Sequence, residues 1–233
     1  GAEPALQFKR GDFYVANRWA IMKSILGGIL SLPGFLYRSI QLRQRPSPFE
    51  YLHFMEERLP PGLFALDAYQ RYVSRMLESF GKSDSFANLT RELYIPATDL
   101  DLGMRRVFSN ADADSVPISH AVAASSAIPL FFRPFEIQGR AYIDGSTGRV
   151  AHLDVGIKAG ASTILIINPL LNICNDQSSV CIPGRVGKCV KISEKGMSFI
   201  QDQASRIETR VRLDGEIRRA PAEHPHGKIY RIQ

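Results

Sequence analysis

Residues 117–148, P-I-S-H-A-V-A-A-S-S-A-I-P-L-F-F-R-P-F-E-I-Q-G-R-A-Y-I-D-G-S-T-G, decide how this 233-residue chain is read. Small residues open the stretch. Ala121, Ala123, Ala124 and Ala127 favour a narrow helix, with Ser119 expected as its N-cap. Pro129 stops that helix, because its ring blocks the preceding turn and it has no N–H to donate. Phe131 to Ile137 reads as extended, Gln138-Gly139 as a turn, and Ala141-Tyr142-Ile143 as a strand running straight into Asp144-Gly145. A carboxylate delivered at a strand end, before a glycine that lets the backbone turn, suits a fixed acid/base group. The same dipeptide also marks ordinary hairpin turns, so its neighbours must decide.

Upstream lies Leu93-Tyr94-Ile95-Pro96-Ala97-Thr98-Asp99-Leu100-Asp101, then the A-A-S-S-A-I-P run, then Y-I-D-G; beyond them comes A-G-A-S-T-I-L-I-I-N-P at 159–169. In this order the segments resemble the patatin-like phospholipase family, best over about residues 50–170. The resemblance implies an α/β fold, an α/β/α sandwich around a mainly parallel sheet. It also implies a serine–aspartate dyad in which Asp144 is the acid/base residue. Gly145 and Ser146 then complete the motif, Asp-Gly-Ser where the family has Asp-Gly-Gly or Asp-Gly-Ala. The implied substrates are lipid acyl esters, with no metal and no cofactor.

The family's nucleophile is the serine of a G-x-S-x-G elbow preceded by a glycine-rich oxyanion loop, and neither motif occurs in these 233 residues. D-G-S-T-G at 144–148 lacks the first glycine, and Gly27-Gly28 lacks the third. The expectation is therefore that Gly1 falls downstream of the elbow and that residues 1–233 form one partial patatin-like domain. Within it, residues 1–48 are a variable apolar cap, 49–170 the best-matching portion around the aspartate, and 171–233 a loop, a long helix and a terminal strand. Such a chain alone is expected to be inactive, its nucleophile supplied from upstream or by a second chain. The alternative is a non-catalytic module that binds lipid or a partner.

Composition fits a globular protein, with 45% hydrophobic and 22% charged residues and a formal charge of +6. The arginines are scattered and no basic block is interleaved with aromatics, which argues against nucleic acid; a basic surface suits anionic lipid instead. Localisation is expected to be cytoplasmic or membrane-associated, with peripheral membrane contact. Cys174, Cys181 and Cys189 are spaced C-x6-C-x7-C without a matching histidine, which disfavours zinc. A disulfide between two of them and unpaired thiols in a loop are both compatible with that spacing.

Along the chain, Ile21, Met22, Ile25, Leu26, Ile29 and Leu30 recur at helical spacing, with Lys23, Ser24, Gly27, Gly28 and Ser31 opposite. Pro33-Gly34 is expected to break this helix short of a bilayer span. Its apolar stripe is either core or a lipid-facing cap. Helices are expected over 49–59, 66–80, 153–159 and 198–219, the last presenting Ile200, Ala204, Ile207 and Val211 on one face. Strands are expected over 90–101, with Pro96 marking an edge or interruption, and over 104–109. Ser162 to Asn168 reads as a strand buried on both faces, Lys228 to Ile232 as a closing strand, and 170–195 as irregular. His120 and His152 are rival bases, Ser125 and Ser126 rival nucleophiles, and Asp99 with Asp101 a rival carboxylate pair. Helix surface, helix packing and turn capping account for them more simply.

Overall fold

The computed structural model describes residues 11, 15–41, 47–56, 58–112, 115–170, 173–175, 182, 188–225 and 227–232. The chain folds as two compact units, residues 1–145 and 146–233. The first contains β1 (Val15–Ala16), α1 (Arg18–Gln41), α2 (Pro48–Glu56), β2 (Phe64–Ala65), α3 (Asp67–Ser79), β3 (Ile95–Asp99), β4 (Met104–Phe108), α4 (Ile118–Ser125), β5 (Phe135–Ile137) and β6 (Arg140–Asp144). The second contains α5 (Leu153–Lys158), β7 (Thr163–Ile167), α6 (Met197–Glu223) and β8 (Lys228–Ile232). The fold is mixed α/β.

A mainly parallel sheet was expected, but the four-stranded sheet of the first unit, in the order β4-β3-β6-β5, is antiparallel throughout. Short connections explain this. Only residues 100–103 join β3 to β4, and only Gln138-Gly139 joins β5 to β6. A parallel pair needs a crossover of about a dozen residues or more. Gln138 and Gly139 have φ of 52° and 76°, the two left-handed positions of a tight hairpin.

Pro96 lies in β3, a central strand and not the edge its presence suggested. The β3–β6 ladder starts at Ala97 opposite Asp144, so Pro96 sits just beyond the end of β6. Its missing N–H therefore interrupts no bond to that strand.

Helix α4 covers the sheet, and its alanines allow the close approach. Ala121 and Ala124 are buried with Ile95, Phe108, Ile137 and Tyr142, while Ala123 and Ala127 pack against Leu66 and Phe132. Ser119 is not the N-cap. Pro117 holds that position, and Ser119 is fully buried inside the helix. The capping acceptor comes from outside the helix: Asp84 takes the Ser119 N–H at 2.8 Å and the Ser119 hydroxyl at 2.6 Å. Gln70 of α3 donates to the same hydroxyl at 2.8 Å, tying α3 to α4.

Helix α1 runs through Pro33 without breaking, contrary to the expected stop. It also faces the other way round. Its less exposed stripe is mostly small or polar: Gly28 and Ser39 are buried with Phe35, and Ser24, Gly27 and Ser31 are half-buried. The large aliphatics Met22, Ile25, Leu26, Ile29 and Leu30 are exposed. The core reading of that stripe is thus overturned. The Phe35 ring packs at a tilt against Tyr51 and Phe54 of α2, with ring centres 5.1 and 5.5 Å apart.

In the second unit β7 and β8 pair in parallel, Ile164 opposite Ile229. Leu153, Ile166, Leu213 and Ala220 form the core. β7 is not buried on both faces: Leu165 and Ile167 are exposed, and Ile166 alone in this strand is buried. Helix α6 spans the expected region, but Ile200, Ile207 and Val211 are exposed, while Gln203, Leu213, Glu216 and Ala220 turn inward. Polar anchoring sets that rotation. Glu216 accepts the Val150 N–H at 2.7 Å, and Gln203 bonds both ways with the Ile173 backbone. Cys174 is a free, exposed thiol and Cys189 is disulfide-bonded, while Cys181 lies outside the described residues.

Candidate active site

Asp144 is the last residue of β6 and is half-buried. Two segments separated in sequence, β3 and the turn after α4, converge on its backbone. Its N–H donates to the Ala127 carbonyl at 3.0 Å, just past the end of α4. Its carbonyl accepts from the Thr98 hydroxyl at 3.3 Å, and it stands opposite Ala97 in the β3 ladder. A strand end would normally fray; here both backbone polar groups of the aspartate are bonded.

Gly145 is buried immediately after it and starts a short 3-10 turn, Gly145–Thr147. Glycine is required there by close approach: a Cβ would lie 2.3 Å from the Pro96 carbonyl oxygen and 2.8 Å from its carbon. The residue is not among those with positive φ, so close approach and not a left-handed backbone is what demands glycine. Ser146, the third motif position, is exposed.

The loop after Ala127 is the other notable feature of this end of the sheet. Ile128, Leu130 and Phe131 are exposed, and Leu130 has φ of 71°. A branched residue held in the left-handed region is strained by about 1–2 kcal/mol. Its carbonyl accepts from Leu63 N–H at 3.4 Å, and Phe131 accepts from Phe64 N–H at 2.8 Å.

The rival residues fall into structural roles. The Ser126 hydroxyl donates to the Val122 carbonyl one turn back, at 2.8 Å, and Ser125 ends α4. The half-buried His120 ring meets Phe135 edge-on at 5.8 Å. His152 precedes α5 with φ of 49° and belongs to the second unit. Asp99 caps the β3–β4 turn through Leu102 N–H at 3.0 Å and pairs with Arg140 at 3.0 Å. That N–H and the Arg140 guanidinium hold its carboxyl below the usual range. Asp101 is exposed in the same turn. Together with the Arg106–Asp112 pair, Asp99 and Arg140 line a cleft of about 380 Å³ that does not include Asp144. Among the described residues no cluster of three His, Cys, Asp or Glu could hold a metal ion.

What the sequence reading missed is the support around Asp144 and Gly145: the Ala127 carbonyl, the Thr98 hydroxyl and the Pro96 carbonyl. All three lie in the upstream segments that carried the resemblance, so the signal was present as residue order and not as chemistry. The arrangement can hold one carboxylate in a fixed place at the end of a strand, beside an exposed apolar loop.

No curated protein gives a significant match to the chain. Residues 30–152, more than half of the chain, match the family model described as Patatin-like phospholipase. The match contains β3, the α4 run and the Asp144-Gly145 turn, and it crosses from the first unit into the second. The chain belongs to the patatin-like phospholipase family, a family of lipid acyl hydrolases.

Proposed function

We propose that the chain carries the acid/base half of a carboxylic ester hydrolase acting on lipid acyl esters by a serine–aspartate dyad, with Asp144 as the aspartate. The observation that carries this reading is the fixing of the Asp144 backbone between Ala127 and Thr98, with the Gly145–Pro96 contact directly after it. A general base acts well only when held within hydrogen-bond reach of the proton it takes. The nucleophile is a serine outside these 233 residues, on an upstream elbow or a second chain. Its hydroxyl attacks the acyl carbonyl as Asp144 takes the proton, and the oxyanion is held by backbone N–H donors. Asp144 then returns the proton to the departing alcohol, and water cleaves the acyl-enzyme by the same path. Ile128, Leu130 and Phe131 give the acyl chain an apolar rim. The work takes place at a membrane surface.

A second reading, a non-catalytic lipid- or partner-binding module, is favoured by one observation: no G-x-S-x-G is encoded in the chain. A fluorophosphonate probe tests both. The purified chain should remain unlabelled, while the protein with the upstream segment restored should be labelled on one serine. Stoichiometric labelling of a serine in the chain alone would overturn the external nucleophile. No labelling with the upstream segment restored leaves the binding module.

A further inference from the structure

We infer that the outward face of α1 is a membrane-docking surface, on which the helix lies in the plane of an anionic lipid bilayer. This rests on the membrane-surface contact proposed above and not on the role of Asp144. Its test has no enzymatic readout, so the two readings fail separately.

The first observation is the inverted amphipathicity of α1. At about 100° per residue, Trp19, Met22, Ile25, Leu26, Ile29, Leu30, Leu36, Tyr37 and Ile40 share one arc, and all are exposed, Trp19 at 74%, Leu30 at 71% and Ile40 at 72%. The opposite arc is made of Ser24, Gly27, Gly28, Ser31, Phe35 and Ser39, and Gly28, Ser31 and Phe35 in it meet α2. Water-soluble helices bury the aliphatic arc; helices in lipid put small residues at protein contacts and large aliphatics outward. The small-residue seam is used here. A Cβ on Gly28 would lie 2.6 Å from Met55 Cε, and the Tyr51 hydroxyl donates to the Gly28 carbonyl at 2.7 Å.

The second observation is charge. Helix α1 contains no Asp or Glu, and its charged residues Arg18, Lys23 and Arg38 are all basic. The whole chain carries +6. Trp19 and Tyr37 stand beside Arg18 and Arg38 near the two ends, the residue types that settle at headgroups. Arg18 falls within the apolar arc and Lys23 at its edge, and basic groups so placed select anionic lipid.

The third observation sets the orientation. By length and composition α1 could cross a membrane. However, α2 packs against the middle of α1, at Gly28 and Phe35, and carries Glu50, His53 and Glu56 on its exposed side. A spanning α1 would carry those groups into hydrocarbon, where ionised side chains are costly. Lying in the plane, α1 buries its aliphatic arc about 5–10 Å deep and leaves α2 in water.

Trp19 is the single tryptophan of the chain, so its fluorescence reports on α1 alone. The full chain is mixed with vesicles of phosphatidylcholine and phosphatidylglycerol, with pure phosphatidylcholine vesicles alongside. Expected are sedimentation with the anionic vesicles, a blue shift of Trp19 emission, quenching by brominated acyl chains and release by alkaline carbonate. Ile29→Asp should weaken partitioning at least tenfold with an unchanged melting temperature. Binding with no change in Trp19 emission would assign docking to another surface, and retention after carbonate would assign a spanning helix; either overturns the inference. So do absence of vesicle binding and a sharp fall in the melting temperature of Ile29→Asp, which would mean that protein covers this face. The Trp19 readings use the unmodified chain and stand even if the variant does not fold.

Discussion

The Pro96 carbonyl oxygen occupies the space a side chain on Gly145 would need, with 2.3 Å between it and the position of a Cβ. The contact joins the start of β3 to the residue after Asp144 and sets the direction in which the chain leaves β6. Both partners are backbone, so neither can swing aside. Gly145→Ala should lower stability by about 1–3 kcal/mol or more, as overpacked sites do. Urea unfolding measures this, and a midpoint equal to wild type would show that the approach is looser than described.

The Asp84 carboxylate receives two donors from Ser119 and stands in for the missing side-chain cap of α4. Asp84→Ala should cost about 0.5–2 kcal/mol, the range of a lost N-cap. Asp84→Asn should recover part of this, because an amide oxygen still accepts. If the alanine variant unfolds at the wild-type denaturant concentration, Asp84 does not cap α4.

Leu130 combines φ of 71° with 71% exposure. Its strain is released, and little burial lost, by a residue that tolerates the left-handed region. Leu130→Asn should therefore raise stability by up to about 1 kcal/mol. If Leu130 is part of an acyl rim, the same variant should lose more activity on long-chain than on short-chain esters. A lower melting temperature would refute the strain, and equal losses on both esters would refute the rim.

Asp67 opens α3 and receives Arg133 Nη2 at 2.9 and 2.8 Å on its two oxygens. Partial burial raises its pKa, but the Arg133 hydrogen bond and charge outweigh this and leave it below 3.8. A depressed folded pKa means that the stability is present above the unfolded value and lost as pH falls through the folded one. The loss should thus begin below about pH 4 and stay under about 1 kcal/mol, because the pair is nearly half exposed. Asp67→Asn should flatten this acid limb in urea midpoints taken against pH. An equally steep fall in the variant would place the titration elsewhere, for example at Asp99, whose carboxyl is held down by the Leu102 N–H and by Arg140.

Local rules read part of this molecule well. The Gln138-Gly139 hairpin, the alanine helix before Pro129 and the strand delivering Asp144 all follow from turn chemistry and residue size. The errors arose where polar anchoring decided which way an element faces. Glu216 and Gln203 rotate α6 away from its aliphatic stripe. Gly28 and Ser31 seat α1 on Met55 and Tyr51, with the aliphatic arc outward. Periodicity locates a stripe but does not say what covers it. The cap on α4 was missed because its acceptor, Asp84, lies 35 residues before Ser119. For the candidate site, Asp144 and Gly145 were proposed from the sequence, while Ala127, Thr98 and Pro96 became legible only once β3 and β6 were paired.

The central claim is that Asp144 is the acid/base residue of a lipid acyl hydrolase. The most direct measurement is turnover of a soluble short-chain ester by the protein with its upstream segment restored, wild type against Asp144→Asn, at matched melting temperatures. Asparagine keeps the shape and removes the basic charge. The account predicts a loss of roughly a hundred- to ten-thousand-fold. Near-wild-type turnover by a folded Asp144→Asn variant would contradict it.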